Sequence, residues 1–226
     1  SRRAGGHGRV IGGGIWSTFA LALLVGVVWG IASVGAVFAP VDLDALKSAV
    51  DSCVPDSGDG SDCATSSYGA IGEWDVSKVT SLKDVFRNKR SFNQDLSKWV
   101  VSKVTTLYRT FNNAVAFHSD ISKWEVSEVI TLEQTFHSAK AFNSDLSAWD
   151  VSKVTTLFYT FYNALAFNSD ISKWEVSNVI TLSDTFNTAQ AFNSDLSAWD
   201  VSKVTSLHGT FRNIDAFNSD LSTWDV

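Results

Sequence analysis

The most regular chemical feature of the sequence is a series of aspartates spaced 25 residues apart. It comprises Asp95, Asp120, Asp145, Asp170, Asp195 and Asp220. Carboxylates stacked in this way either hold cations or accept backbone N–H bonds within Asx turns. Because turn-forming Asn and Ser residues precede most of these aspartates, we expect the structural role.

The same carboxylates raise the question of catalysis. Paired carboxylates hydrolyse glycosidic bonds, but acid–base catalysis needs two groups whose environments push their pKa values apart. Near-identical 25-residue units place every carboxylate in an equivalent environment. Serines at a fixed place in each unit, such as Ser127 and Ser152, have no His and Asp at a constant offset, which a catalytic triad requires. We therefore expect no enzymatic activity and no cofactor.

Cys53 and Cys63 are the two cysteines of the chain. They bracket a loop rich in Gly, Ser and Asp, and an even cysteine count outside the cytosol favours a disulfide, which would stabilise the fold by ~3 kcal/mol. Asp56, Asp59 and Asp62 offer oxygen ligands for calcium, but the loop lacks the EF-hand spacing, so a solvated turn is the preferred interpretation. The chain has four His and two Cys, and we expect no zinc site.

Seven tryptophans define the repeat, since they are also spaced 25 residues apart: Trp74, Trp99, Trp124, Trp149, Trp174, Trp199 and Trp224. With each Trp counted as position 0, Phe recurs at positions 12 and 18, Val at 2 and 5, Leu at 8, and Leu or Ile at 22. Ordering the backbone of one repeat costs ~25–50 kcal/mol, whereas burying its apolar side chains returns ~10–20 kcal/mol. The repeats must therefore stack and bury one another's apolar residues.

The apolar positions predict two elements in every repeat. The pattern LxxWxV, as in residues 146–151, alternates like a short strand. The apolar residues at positions 8, 12, 15 and 18 recur every three or four residues, like one face of a helix. The expected fold class is α/β: a single-layer, leucine-rich-repeat-like solenoid of parallel short strands and short helices, preceded by one transmembrane helix.

These motifs resemble those of a known family. LxxWxV stands where leucine-rich repeats carry LxxLxL, and the unit WDVSKVTTLFYTFYNALAFNSDIS is similar to the repeat of BspA-like bacterial and protist surface proteins over residues 70–226. The resemblance implies cell-surface display and protein contact or adhesion, with no catalytic residues to carry over. The chain stops just inside a seventh repeat, so we expect the array to be truncated at its C-terminus.

Residues 10–39 carry no charge and are rich in Leu, Val, Ala and Gly. About 20 apolar residues cross a bilayer as a helix, so we expect a signal anchor; the alternative is a secretory signal peptide cleaved near Ala36. Arg2, Arg3 and Arg9 precede this segment and favour a cytoplasmic N-terminus. We expect a single-pass protein that contacts the membrane through residues 10–39, with extracellular or lumenal repeats, or a secreted protein if the segment is cleaved.

The sequence divides into three parts: the tail and membrane segment at 1–39, a capping part with the cysteine loop at 40–69, and the repeats at 70–226. The capping part contains a predicted short helix with Asp42 as N-cap, which would cover the exposed end of the repeats.

The charge distribution indicates which classes of partner the repeats can bind. All 24 acidic residues lie beyond residue 39, so the repeats lack the basic character expected of a nucleic-acid-binding protein, and we exclude that partner.

The outward-pointing residues on either side of each tryptophan form the predicted binding face, because repeat arrays bind through extended faces. They are Lys98, Lys123, Glu125, Asp150, Lys173, Glu175 and Asp200. We expect a protein or glycan ligand there, and a function in protein–protein interaction or adhesion. The alternative is a structural spacer or cell-wall or matrix component without a specific ligand.

Overall fold

A computed structural model of the chain describes residues 36–56 and 62–225. These residues belong to one unit, Ala36–Val226, and the other unit, Ser1–Gly35, lies outside the described residues. No helix in the described part is long and apolar enough to cross a membrane. The final residues of the predicted span, 36–39, are not helical, and the rest of that span lies outside the described residues. The predicted transmembrane helix is therefore not found in the part of the chain that the structure describes.

The amphipathic segment that follows Pro40 forms helix α1, Leu43–Cys53. Asp42 caps this helix, because its Oδ1 accepts the N–H of Ala45 at 2.9 Å. The buried face of α1 consists of Leu46, Ala49 and Val50. All three belong to the same apolar core as the repeats, so α1 covers the first repeat.

A disulfide and two ion pairs hold α1 and the residues just after it in place. Cys53 at its end is bonded to Cys63, which confirms the predicted disulfide. Lys89 of the first repeat lies with its Nζ 2.8 Å from carboxylate oxygens of Asp51 and Asp56, and its side chain is 5% exposed. Burial alone would lower the pKa of Lys89, but the hydrogen bonds to the two carboxylates outweigh burial and raise it.

The repeats contain neither the predicted strands nor the predicted helices. Besides α1, the described residues contain one other helix, the single 3₁₀ turn Ile71–Glu73. Their β-pairing consists of two isolated parallel bridges, Ser81 with Thr106 and Thr106 with Thr131. The predicted α/β solenoid of parallel short strands and short helices is therefore wrong, and each repeat is instead a series of turns.

The predicted helix fails because positions 10 and 14 have positive φ in all six complete repeats. In one of them Tyr159 has φ 54° and Asn163 has φ 55°, and a residue in this region ends a right-handed helix. The chain forms successive turns instead, in which the N–H of Tyr162 bonds to the carbonyl of Tyr159 and that of Ala164 to Phe161. Each turn returns an apolar residue to the core, which gives the same three-to-four-residue spacing as a helix.

In the repeats with Asp at position 1, side-chain hydrogen bonds close a turn at each end of the predicted strand. Asp145 Oδ1 accepts the N–H of Ser147 at 2.9 Å, and Asp150 Oδ1 accepts the N–H of Ser152 at 3.0 Å. Only residues 149–151 lie between these two Asx turns, and this stretch is too short for a continuous ladder. Their side chains still alternate, with Trp149 and Val151 buried and Asp150 exposed.

Backbone hydrogen bonds join the repeats in a constant register. N–H groups at positions 8, 10, 12 and 14 donate to carbonyls at positions 7, 9, 11 and 13 of the next repeat. The N–H of Phe136 donates to the Thr160 carbonyl at 2.9 Å, and that of Ser138 to Tyr162 at 2.7 Å. The intervening N–H groups close turns within the repeat, so successive amides satisfy two different repeats in alternation.

Side chains extend this register through the core. Thr160 Oγ1, fully buried, donates to the Leu132 carbonyl of the preceding repeat at 2.9 Å. Trp149 Nε1 donates to the Ile121 carbonyl at 3.2 Å. Phenylalanines at position 12 stack on those of the next repeat with ring centroids 5.4–5.9 Å apart. The core is therefore a set of parallel aromatic and hydroxyl ladders.

Candidate functional site

The predicted binding face is exposed at every one of its seven residues, Lys98, Lys123, Glu125, Asp150, Lys173, Glu175 and Asp200. Three of these side chains have partners within the protein. Lys98 forms an ion pair with Glu73. Asp150 and Asp200 accept the N–H of the serine two residues later at 3.0 and 3.1 Å, and the hydroxyl and N–H of that serine lower the pKa of each carboxyl.

Two open depressions bring part of this face together. Lys123, Glu125 and Asp150 lie around a depression of about 490 Å³ beside Trp124, and Lys98 joins Lys123 and Glu125 at a smaller one of about 160 Å³. Lys173, Glu175 and Asp200 repeat the same residue types two repeats further along. The predicted face is therefore regular, and its residues do not converge on a site distinct from its neighbours.

The regularly spaced aspartates at position 21 act within turns. Each accepts the N–H of the serine two residues later at 2.8–2.9 Å. These bonds lower the pKa of all six carboxyls. The predicted Asx-turn role is confirmed. No group of three or more His, Cys, Asp or Glu is placed to hold a metal ion among the residues that the structure describes.

Two of the three aspartates considered as calcium ligands have other partners. Asp56 binds Lys89, and Asp62 Oδ1 accepts the N–H of Ala64 at 2.9 Å. Asp59 lies outside the described residues. The two described carboxylates thus act in an ion pair and in a turn.

A second surface differs from repeat to repeat, and the spacing of the invariant residues does not single it out. It consists of positions 9, 10 and 13, and we call it the variable face: Lys83, Asp84, Arg87; Tyr108, Arg109, Asn112; Glu133, Gln134, His137; Phe158, Tyr159, Tyr162; Ser183, Asp184, Asn187; His208, Gly209, Arg212. Side chains at these positions touch across repeats: Asn112 Nδ2 donates to Gln134 Oε1 at 3.2 Å. Comparing the six repeats with one another, position by position, is the signal that finds this face in the sequence.

At the end of the variable face nearest α1, cations surround the ring of Tyr108. We call this end, formed by positions 9, 10 and 13 of the first two repeats, the cationic end. Lys83 Nζ lies 5.6 Å, and Arg109 Cζ 4.3 Å, from the centroid of the Tyr108 ring. Arg109 Nε lies 3.0 Å from Asp84 Oδ1, and the same oxygen lies 3.9 Å from Arg87 Nε. One carboxylate is therefore shared by two arginines, and positive charge is in excess.

An aromatic cluster occupies the middle of the variable face. The Tyr159 ring centroid lies 4.3 Å from that of Phe158 and 5.1 Å from that of Tyr162. His137 stacks on Tyr162 at 4.8 Å. Burial lowers the pKa of His137, so its imidazole is neutral at pH 7, while burial and the nearby Asp184 carboxylate raise the pKa of Tyr159. The four rings are each partly exposed and carry no net charge.

Polar side chains fill the variable face beyond the aromatic cluster. Asp184 is 7% exposed, and its Oδ1 accepts a hydrogen bond from Asn187 Nδ2 at 2.7 Å. Gly209 stands where the other repeats carry a side chain. A Cβ at Gly209 would lie 2.3 Å from Asp184 Oδ1, and Gly209 has φ +65°, so glycine leaves the room that the buried carboxylate needs.

The comparison with protein families matches two overlapping segments of the chain. Residues 61–168 and 132–226 match the family described as Mycoplasma protein of unknown function, DUF285. The chain belongs to this family. No curated protein matches it. The DUF285 matches begin after α1 and cover every repeat, so the variable face lies entirely within the DUF285 region.

Proposed function

We propose that this DUF285 protein acts outside the cytosol and binds another protein through its variable face. The observation that carries the proposal is the contrast between this face and the rest of each repeat. The aromatic and Thr ladders and the Asx turns account for the constant positions. No such contact explains why the side chains differ in all six repeats along one strip that is buried only in the fifth repeat, whereas recognition of a partner along that strip does.

The residue types on the variable face support protein binding. Tyr and Arg are enriched at protein interfaces and among the residues that dominate binding energy. The face contains Tyr108, Tyr159 and Tyr162, as well as Arg87 and Arg109. The resemblance to BspA-like surface proteins supports the same function.

Location outside the cytosol is supported by two features. The Cys53–Cys63 disulfide is of a kind that persists in oxidising compartments. The uncharged segment at 10–39, preceded by Arg2, Arg3 and Arg9, is typical of an exported chain. Protease added outside intact cells is expected to digest the repeats. Protection of the repeats until the cells are lysed would contradict this location.

A structural spacer is the second candidate function, favoured by the regularity of the predicted binding face. Ion pairs on and beside that face join equivalent positions of neighbouring repeats, as between Lys98 and Glu73 and between Lys153 and Glu128. Such pairs would stiffen an array without any ligand.

A binding experiment on the full chain separates these functions. A pull-down at increasing protein concentration is expected to recover one saturable partner. The triple variant should abolish its recovery; it carries Tyr108→Ala, Tyr159→Ala and Tyr162→Ala. The matched control replaces Lys123, Lys173 and Glu175 of the predicted binding face by Ala and should leave recovery unchanged. No saturable partner at micromolar concentration would favour the spacer, and loss in the control alone would assign binding to the predicted face.

A further inference from the structure

We infer that the partner contributes an extended, acidic segment with one apolar or aromatic anchor, which lies along the variable face from the cationic end to the aromatic cluster. This inference rests on the proposed function, because it specifies the chemistry of the protein that the variable face binds.

Exposed cations at the first repeat supply the charge complementarity. Lys83, Arg87 and Arg90 are exposed, and Arg90 Nη1 donates to the neutral Asn113 side chain at 3.1 Å. Asp84 is the one carboxylate at positions 9, 10 and 13 of the first two repeats, and it is already bound by Arg109. Because Arg87 shares this carboxylate with Arg109, four cations, with Arg90 included, stand against one carboxylate here, and the excess positive charge is available to an acidic chain.

The neighbouring helix does not cancel this charge. Asp51 of α1 and Asp56 just after it share Lys89, so this group carries one net negative charge, which reduces the excess without cancelling it. Lys47 and Asp44 of α1 line the depression of about 480 Å³ beside Lys83, and their charges offset each other. The cationic end therefore keeps its excess of positive charge where α1 meets the first repeat.

The rest of the protein surface repels an acidic segment. The chain carries a net charge of −6, and exposed carboxylates recur at position 21 of every complete repeat and at position 1 of most. Like charge suppresses binding there, and opposite charge steers the segment to the cationic end. Charge alone therefore selects the variable face over the predicted binding face for such a partner.

The aromatic cluster sets the second requirement on the partner. Lys83 belongs to the first repeat and Phe158 to the fourth, and successive repeats are 5.4–5.9 Å apart at their stacked phenylalanines. Three such steps correspond to about five residues of extended chain at ~3.3 Å each. The uncharged, partly exposed rings of Phe158, Tyr159 and Tyr162 suit an apolar or aromatic anchor at that separation from the carboxylates.

The test is selection of peptides from a random twelve-residue display library on the full-length protein. Enriched peptides are expected to carry two or more carboxylates about five residues from a large apolar residue. The variant with Lys83→Glu, Arg87→Glu and Arg90→Glu should bind those peptides at least tenfold more weakly. The matched control with Lys103→Glu, Lys123→Glu and Lys173→Glu changes net charge equally and should bind within about twofold of the unmodified protein. Both variants are compared by circular dichroism to verify that they fold.

The outcomes distinguish failure of this inference from failure of the proposed function. Suppose that the enriched peptides have no excess of carboxylates but lose binding to the variant with Tyr159→Ala and Tyr162→Ala. That result would overturn the acidic partner and leave the variable face as the binding site. Peptides insensitive to every change on the variable face would overturn both. Equal competition by heparin and by an acidic peptide would assign the cationic end to polyanions in general and overturn the protein segment.

Discussion

Lys89 occupies a position that holds Ala in each of the next four repeats, and it joins the first repeat to α1. Replacing Asp51 and Asp56 by Ala should lower the free energy of unfolding by about 1–3 kcal/mol, because the buried ammonium loses both charged hydrogen-bond partners. Urea denaturation at pH 7 measures the change. Lys89→Ala is the matched control and should cost less, since it leaves two exposed carboxylates in water. An equal or larger loss in the control would show that these ion pairs do not hold α1.

The Asx-turn aspartates make stability depend on pH at its acid end. Their pKa values are lower in the folded protein than the ordinary value of 3.8. Their contribution to stability is therefore complete above that value and is lost as the pH falls through the folded values. Asp145→Asn keeps the acceptor oxygen but does not titrate. The difference in melting temperature between Asp145→Asn and the unmodified protein should stay constant from pH 7 to about 5 and change below about 4. A difference that stays constant down to pH 2 would contradict this contribution of the Asp145 carboxylate.

Local and long-range contacts explain what could be predicted for single residues. The role of Asp145 follows from its own serine two residues later, so the sequence alone indicates it. The role of Lys89 depends on Asp51 and Asp56, which lie more than 30 residues earlier, and nothing in the local sequence points to that contact. The cysteine pair was predictable because the chain has only two cysteines.

The turn elements of the repeat depend on positive φ at position 14. Thr188 has φ 64° there, a conformation that β-branched residues adopt with strain. Thr188→Asn should raise the free energy of unfolding by about 0.5–1 kcal/mol, because Asn tolerates this region. It also offers an amide like that of Asn113, whose Nδ2 donates to Asn88 Oδ1 at 3.0 Å. Thermal denaturation measures the gain.

Thr188→Val is the control for this prediction, since it keeps the β-branch and offers no amide. It should not stabilise the protein. Stabilisation by Val equal to that by Asn would mean that backbone conformation at this position is not what limits stability.

The elements were the least predictable level of the fold. A turn series and an amphipathic helix both return apolar residues every three or four positions, so Leu157, Phe161 and Ala164 fit either. The choice is made by hydrogen bonding between repeats, which draws every second amide away from its own helix. Single-repeat patterns cannot reveal that competition, although turn-prone residues at position 14, such as Asn113 and Asn163, hint at it.

At the scale of the whole molecule, the constant register makes each repeat replaceable by the next. Deleting residues 150–174 removes one full period and rejoins equivalent positions. The shortened protein should still unfold cooperatively, with a smaller urea m-value, because less surface is buried. Deleting residues 150–161 shifts the register and should abolish cooperative unfolding. Loss of cooperativity in both would show that the repeats are not equivalent in packing.

The candidate site was predictable in part. Exposure beside each tryptophan follows from the two-residue alternation around Trp149, so the predicted binding face is correctly placed on the surface. The variable face follows from no spacing rule, because its residues are defined by how Tyr108, Phe158 and Ser183 differ at one equivalent position. Their proximity in space depends on the stacking register, which only the structure gives.

The constant register also has a genetic consequence. Recombination between misaligned copies of a near-identical repeat inserts or removes multiples of 25 codons, and the register accepts such changes without a new join. Alleles of the gene are therefore expected to differ by whole repeats. Each added copy between the first and fourth repeats would move the aromatic cluster one repeat further from the cationic end. The number of repeats would therefore determine the spacing between carboxylates and anchor that a partner needs.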